Sequence, residues 1–499
     1  MMKKLFPPLF SRVASFICIL SLAAGCEKFD DDDPNYRKPL PTPLPDMILY
    51  TTSDGAPVNV DSWKDDILDN CYYDGMGRII LREGVTNIPP YAFGDSKLVD
   101  IVLPETITSI DWYAFGRSQL QSIVIPNTVV SLGAEAFYGC KNLTSITVPD
   151  SVTSLGARVF SFCTNLAKVK LSENLTSIPK EAFYSCQSLR SINMPDGVTE
   201  IGQDAFSYCH SLEKIVLPQG ITQTNKSFQY CSSLKEVTLN KNIKGIGGFT
   251  GCTSLKKINL PEGLETIYSY CFSYCVELER IYIPSTVREI NGYVFDNCKK
   301  LKQVNLPEGI EYIGNNLFAN CYELSEIRIP ESVAVFNFGA FQNTAISHIN
   351  IPENVSYIFD GAFIDAKNLK SFSGKFVTDD GRCVITDDGI LKGFAPCGLT
   401  SYEFPEGIRQ IEGFSEVNIE SMTLPSSVEA LGGYWFSGFG TYNAKLKTLY
   451  CKATAPPYAG FDIDPYTEVS VTVYVPRSSV EAYEQADFWK DLTIEGYDF

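Results

Sequence analysis

Cysteine and histidine can do most of the chemistry open to a side chain, and the chain holds sixteen of the first and two of the second. Nine cysteines (Cys140, Cys163, Cys186, Cys209, Cys231, Cys252, Cys275, Cys298 and Cys321) recur at steps of 21 to 23 residues, each three before a leucine. An exported protein with so many cysteines would ordinarily form disulfides. Identical slots on stacked parallel segments, however, hold their Cβ atoms too far apart to bridge without distortion. Asp95, Asn343 and Ala366 fill the corresponding slot elsewhere, which points to a small side chain and a ladder of free, buried thiols. Cys383 and Cys397 form the one pair outside the ladder that a bridge could join. His210 follows Cys209 directly, and neighbours in a turn point apart. The sequence contains no GxSxG, HExxH, paired CxxC or P-loop, and its scattered carboxylates have no spacing that pairs them. The expectation is a protein without catalysis, cofactor or metal.

Charge points the same way. A formal net charge of −18 argues against sequence-blind nucleic-acid binding, which needs a basic surface. Yet the outward positions of the recurring strand carry Lys168, Lys170, Lys214, Lys257, Arg280 and Arg328 against Asp100, Glu236 and Glu326. A stripe of positive charge on an acidic chain suits an acidic partner. With exposed Tyr282, these six basic residues are the candidate ligand-binding set. The competing reading is that they only solubilise an exposed sheet.

The elements that must position these residues follow from one repeated unit. Residues 189 to 212 show it: Leu189-x-x-Ile192-x-Met194-Pro195, Asp196-Gly197, Val198-x-x-Ile201-Gly202, then Ala205-Phe206-x-x-Cys209-x-x-Leu212. A period of 21 to 23 residues sustained from Leu98 to Leu369 is a solenoid signature. The alternation around Ile192 predicts a short strand, ended by a proline that has no amide to donate. Glycine then turns the chain. Val-x-x-Ile-Gly predicts a second, shorter inward segment, and Ala-Phe-x-x-Cys a short helical or 3-10 turn. The phenylalanines from Phe93 to Phe363 should stack as a core spine, because no coil can bury them alone.

The flanks differ. Residues 1–25 combine Lys3, Lys4 and Arg12 with a short apolar run and end in Leu22-Ala-Ala-Gly-Cys26, which resembles a bacterial lipobox with Cys26 as the lipidated residue. Its removal would leave a net charge of −21. Residues 26–45 are an acidic, proline-rich tether, and an acidic run just after the lipid cysteine resembles the surface-export signal of Bacteroides-group lipoproteins. An N-terminal cap is expected over 46–82, with a strand at Ile48 and a short helix within Asp61–Asn70. The repeats then run over 83–371, and two Asp-Asp-Gly turns predict a hairpin insertion at 372–398. Further repeats occupy 399–452. A C-terminal cap fills 453–499, with a strand at Val471 and a helix opened by a capping box at Ser478 and running to Trp489.

The unit L-x-x-I-x-[LIV]-P-x-[GST]-[VI]-x-x-I-G-x-x-A-F-x-x-C resembles the BspA-like leucine-rich repeats of bacterial surface proteins, over about residues 78 to 452. The resemblance implies a right-handed, curved solenoid with parallel strands on one face, capped at both ends. It also implies adhesion to host matrix proteins, host cells or other bacteria. Ligand residues are not part of that consensus, so none carries over. The expected function is a non-catalytic, adhesin-like binding protein that uses the sheet face. Its partner would be a protein or glycan on a host or bacterial surface, with the membrane touched only through the lipid anchor of an outer-membrane lipoprotein. The alternative is a glycan- or nutrient-capture lipoprotein.

Overall fold

The computed structural model describes residues 44–412, 418–432, 445–459 and 471–499. The expected signal segment, Cys26 and tether residues 26–43 lie outside them. Within the described residues the chain winds as a parallel-strand β-solenoid of about 17 turns with little helix.

Each coil is held to the next along three lines. On the first, the Leu-x-x-Ile strands pair in parallel and strict register, as Lys168–Lys170 does on Ser145–Thr147 and Lys214–Val216 on Glu236–Thr238. On the second, the two-residue Val-x-x-Ile segments do the same, for example Ser177 with Glu200 and Ile178 with Ile201. The third line is the Ala-Phe-x-x-Cys segment, and here the helical expectation is corrected. The segment folds as consecutive turns, because its amides at the spine phenylalanine and two residues to either side donate to the following coil. Glu181, Phe183 and Ser185 bond in this way to the carbonyls of Gln203, Ala205 and Ser207, at 2.8 to 3.0 Å. A helix would have turned those amides onto its own carbonyls. Aiming them outward places the residues two before and two after the phenylalanine in the left-handed region, for instance Glu181 at φ 54° and Ser185 at 59°. Each such non-glycine residue costs about 1–2 kcal/mol, offset by the bond it makes to the next coil.

Inside these three lines lies the spine. The thirteen phenylalanines from Phe93 to Phe363 are at most 2 % exposed. Their rings stack face to face at centroid separations of 5.2 to 6.1 Å. Full burial of one such ring stabilises by about 1.5–3 kcal/mol, and every ring requires both neighbouring coils to achieve it.

The two ends depart from the expected pattern. Near the start, only Asp61–Asp66 is helical, as a 3-10 turn, and Ile67–Tyr73 is a strand paired antiparallel with Met76–Leu81. Asp74-Gly75 makes that hairpin possible, both in the left-handed region. Near the finish, the helix covers just Val480–Gln485, and its Ser479 N-cap makes no side-chain bond, so the capping box does not form. A final strand, Thr493–Tyr497, then pairs with Thr472–Pro476. The two Asp-Asp-Gly turns do close as a matched pair: Thr378 and Thr386 each donate to the second aspartate at 2.6 Å, and Gly381 and Gly389 take φ 70° and 81°.

Candidate functional site

The thiol ladder is the densest set of reactive atoms, and its geometry removes it from chemistry. All nine cysteines are free and fully buried. Each thiol donates to the carbonyl of the spine phenylalanine one coil back, as Cys209 does to Phe183 at 3.2 Å and Cys140 to Phe115 at 3.0 Å. Burial pushes Cys231 and Cys275 up to about 12 and disfavours the nucleophilic thiolate. The slot also differs from the one expected. Asp95 and Asn343 occupy the left-handed position before it, at φ 53° and 54°. Their coils are one residue shorter between phenylalanine and leucine, so counting back from the leucine lands one place early. The slot itself holds Ser96 and Thr344, whose hydroxyls donate to Phe93 and Phe341 at 2.7 and 3.0 Å. It therefore asks for a small donor, with Ala366 the exception. Cys383 and Cys397 are both free, and Cys383 lies 3.4 Å from the Tyr402 hydroxyl.

Among the described residues neither histidine is hydrogen-bonded to a thiol. His210 Nδ1 faces the Tyr230 carbonyl at 3.1 Å. His348 lies between the Ser371 and Ser373 hydroxyls at 2.9 and 3.0 Å, on the exposed strand face. An open cavity of about 570 Å³ beside the first coil is lined by Asp54, Asn59, Asp61, Tyr91, Asp95 and Lys97. Asp54 is engaged by the Ala56 amide and Asp95 by Arg117. Among the described residues no group of histidine, cysteine or carboxylate side chains could hold a metal ion.

The outer strand face carries the candidate set, and all seven residues are exposed on it. They are not equivalent. Arg328 is tied to Glu308 at 2.8 Å, and Lys214 stands directly opposite Glu236 in the register, so these two charges are largely offset. Lys168 and Lys170 have only Ser145 and Thr147 as register partners on the preceding strand. Arg280 is opposite Gln303, and the bridge between Asn259 and Tyr282 brings Lys257 beside Arg280. Lys168, Lys170, Lys257 and Arg280 have no ion-pair partner among the described residues. The stripe is thus two foci, one at Lys168 and Lys170 and one at Lys257 and Arg280 beside the Tyr282 ring.

A second surface lies off the strands, where the candidate set does not reach. Along the turn edge, Tyr138, Phe162, Tyr184, Tyr208 and Tyr230 follow one another at 4.8 to 5.4 Å. Their signal in the sequence is an aromatic one or two residues after the spine phenylalanine in these five coils. Partial burial raises the phenols of Tyr184 and Tyr208. Arg158 crosses three coils beside them, reaching Glu181 at 2.6 Å and Glu135 at 3.4 Å, and holds the Glu181 carboxyl below its usual range.

Comparison with known proteins found a family match and several structural likenesses. The family described as BspA type leucine rich repeat region (6 copies) matches residues 65–179, 162–275, 247–370 and 391–453. A leucine-rich repeat protein from Bacteroides ovatus is 18% identical, covers 87% of this chain and 100% of its own, and has a TM-score of 0.45. A leucine rich cell surface protein from Faecalibacterium prausnitzii is 21% identical over 83% of this chain and 95% of its own, at a TM-score of 0.36. The leucine rich repeat protein of T. pallidum is 28% identical over 46% of this chain and 84% of its own, at 0.25. No curated protein matches.

Proposed function

The chain belongs to the BspA-type leucine-rich repeat family, and from that premise we propose that it is a non-catalytic binding protein which holds an acidic macromolecule on its outer strand face. Its family is one of repeat solenoids that are typically non-catalytic surface proteins. The observation that carries the reading is the pair Lys168 and Lys170, two exposed cations on one strand with neutral register partners, on a chain of net charge −18. Lys257, Arg280 and Tyr282 supply the second contact, a cation pair with a ring that can lie against a partner's apolar surface. An extended sheet suits a long ligand that spans both foci at once. In this reading Cys26 carries lipid and holds the protein at the outer membrane, facing outward as an adhesin would.

The test is an array of host matrix proteins, bacterial surface polymers and polysaccharides probed with the purified chain. Binding should concentrate on acidic members and weaken as salt rises, since exposed charges are screened over about 8 Å at physiological ionic strength. Salt-independent binding confined to neutral members would contradict it. Anchoring has its own readout: label from a fatty-acid analogue should vanish in Cys26→Ser, and label retained by that variant would exclude Cys26.

A further inference from the structure

We propose that the last three strands of the outer face form a separate binding site for a neutral polysaccharide. The site is built in rows across Thr448–Cys451, Thr472–Pro476 and Thr493–Tyr497, which run parallel and in register. One row aligns Thr448, Thr472 and Thr493; the next aligns Tyr450, Tyr474 and Glu495. All six lie on the outward side, where the strand burial alternates against a sealed interior of Leu449, Val473 and Val475.

The aromatic side chains form a corner instead of a flat layer. Tyr450 and Tyr474 stack at 5.0 Å and 19°, while Tyr497 is steeply inclined to both, at 5.1 Å and 67° and at 5.8 Å and 68°. Phe499 extends the second wall at 5.1 Å from Tyr497, and these two rings are 51% and 42% exposed respectively. Large aromatic rings left in water at such a corner present both faces and edges to a ligand. A pyranose offers what that geometry takes: flat C–H faces for the rings, and hydroxyls for the threonine row and the Glu495 carboxylate. Glu495 already sits against the Tyr474 phenol and raises it.

Charge decides the class of ligand. Three cations around the corner are held by carboxylates, Arg477 by Asp498 at 2.8 Å, Lys447 by Glu420 at 3.2 Å and Lys452 by Glu403 at 2.5 Å. With those cations matched and Glu495 facing outward, a sulfated or uronic polymer meets repulsion at the centre. A neutral glycan meets hydrogen-bond acceptors and rings. This site does not depend on the basic foci, so the two can fail separately.

The experiment is affinity electrophoresis of the full chain in gels containing laminarin, xyloglucan, galactomannan or soluble starch, with polygalacturonate and heparin as anionic probes. At least one neutral polymer should retard the protein. The Tyr474→Ala/Tyr497→Ala variant should lose that affinity by about tenfold or more, and Tyr474→Phe/Tyr497→Phe should keep most of it. Lys168→Glu/Lys257→Glu should retain it fully while losing retardation by any anionic probe. An unchanged thermal midpoint in the alanine variant shows that the effect is not unfolding; if that variant does not fold, Glu495→Gln is read in its place and should also weaken retardation. Absence of retardation by every neutral polymer, or retardation untouched by the alanine pair and by Glu495→Gln, would overturn the proposal.

Discussion

The inside and the outside of the same coil follow different rules. The slot beside the spine phenylalanine takes cysteine nine times, and Ser96, Ser118, Thr344 and Ala366 where it does not, to reach a phenylalanine carbonyl or stay sealed beside it. The outward strand positions change identity and charge from coil to coil, from Ser145 to Lys168 to Ser191 to Lys214 to Glu236. Regularity belongs to residues that must pack inside the spine and satisfy backbone carbonyls there, and variation to those that meet only solvent or a partner. The fold is therefore specified by the inside, and recognition can be written on the outside without disturbing it.

The largest test of this contrast is alkaline. Thiols such as Cys231 and Cys275 ionise near 9 when unfolded and near 12 when folded. Their contribution is fully present below pH 9 and is lost as pH rises toward 12, because the unfolded chain then sheds protons that the folded one retains. Every tenfold difference in proton affinity between the two states is worth about 1.4 kcal/mol per thiol. Summed over many thiols, that loss should make denaturant midpoints fall steeply across the window. The decline should be shallower in Cys231→Ser/Cys275→Ser. A single spine deletion comes next: Phe206→Ala should cost about 3–5 kcal/mol in urea unfolding and speed hydrogen exchange in the coils on both sides. Cys209→Val, which fills the slot but removes the thiol's bond to the Phe183 carbonyl and leaves it only the Cys186 amide, should cost about 0.5–1.5 kcal/mol, and Cys209→Ser less. Serine proving the worse of the two would mean that the slot selects for apolarity alone. Smallest of all, Lys168→Glu should move stability by no more than about 0.5 kcal/mol.

Much of this is legible in the sequence, for a physical reason. The period, the buried phenylalanine and cysteine columns and the inward strand residues all express burial, and burial leaves a pattern of residue type. The turn conformation is not legible. Whether Ala-Phe-x-x-Cys coils into a helix or sends alternate amides to the next coil depends on a neighbour that local spacing cannot reveal. The C-terminal end defeats a local reading for a related cause: Thr493–Tyr497 has strand alternation, but its place beside Thr472–Pro476 arises only after the helix stops at Gln485. Of the candidate binding set, exposure is legible from the strand register. The offsetting of Arg328 is not, since Glu308 comes from a turn twenty residues before it.

The claim that recognition lies on the outer strand face is tested most directly by the affinity of a single quadruple variant, Lys168→Glu/Lys170→Glu/Lys257→Glu/Arg280→Glu, for whichever acidic partner the array identifies. Its affinity should fall by about tenfold or more at physiological salt with the unfolding midpoint unchanged, whereas Lys214→Glu/Arg328→Glu should have a much smaller effect. Equal affinity of the quadruple variant and the unaltered protein would contradict the account and leave the stripe a solvated face.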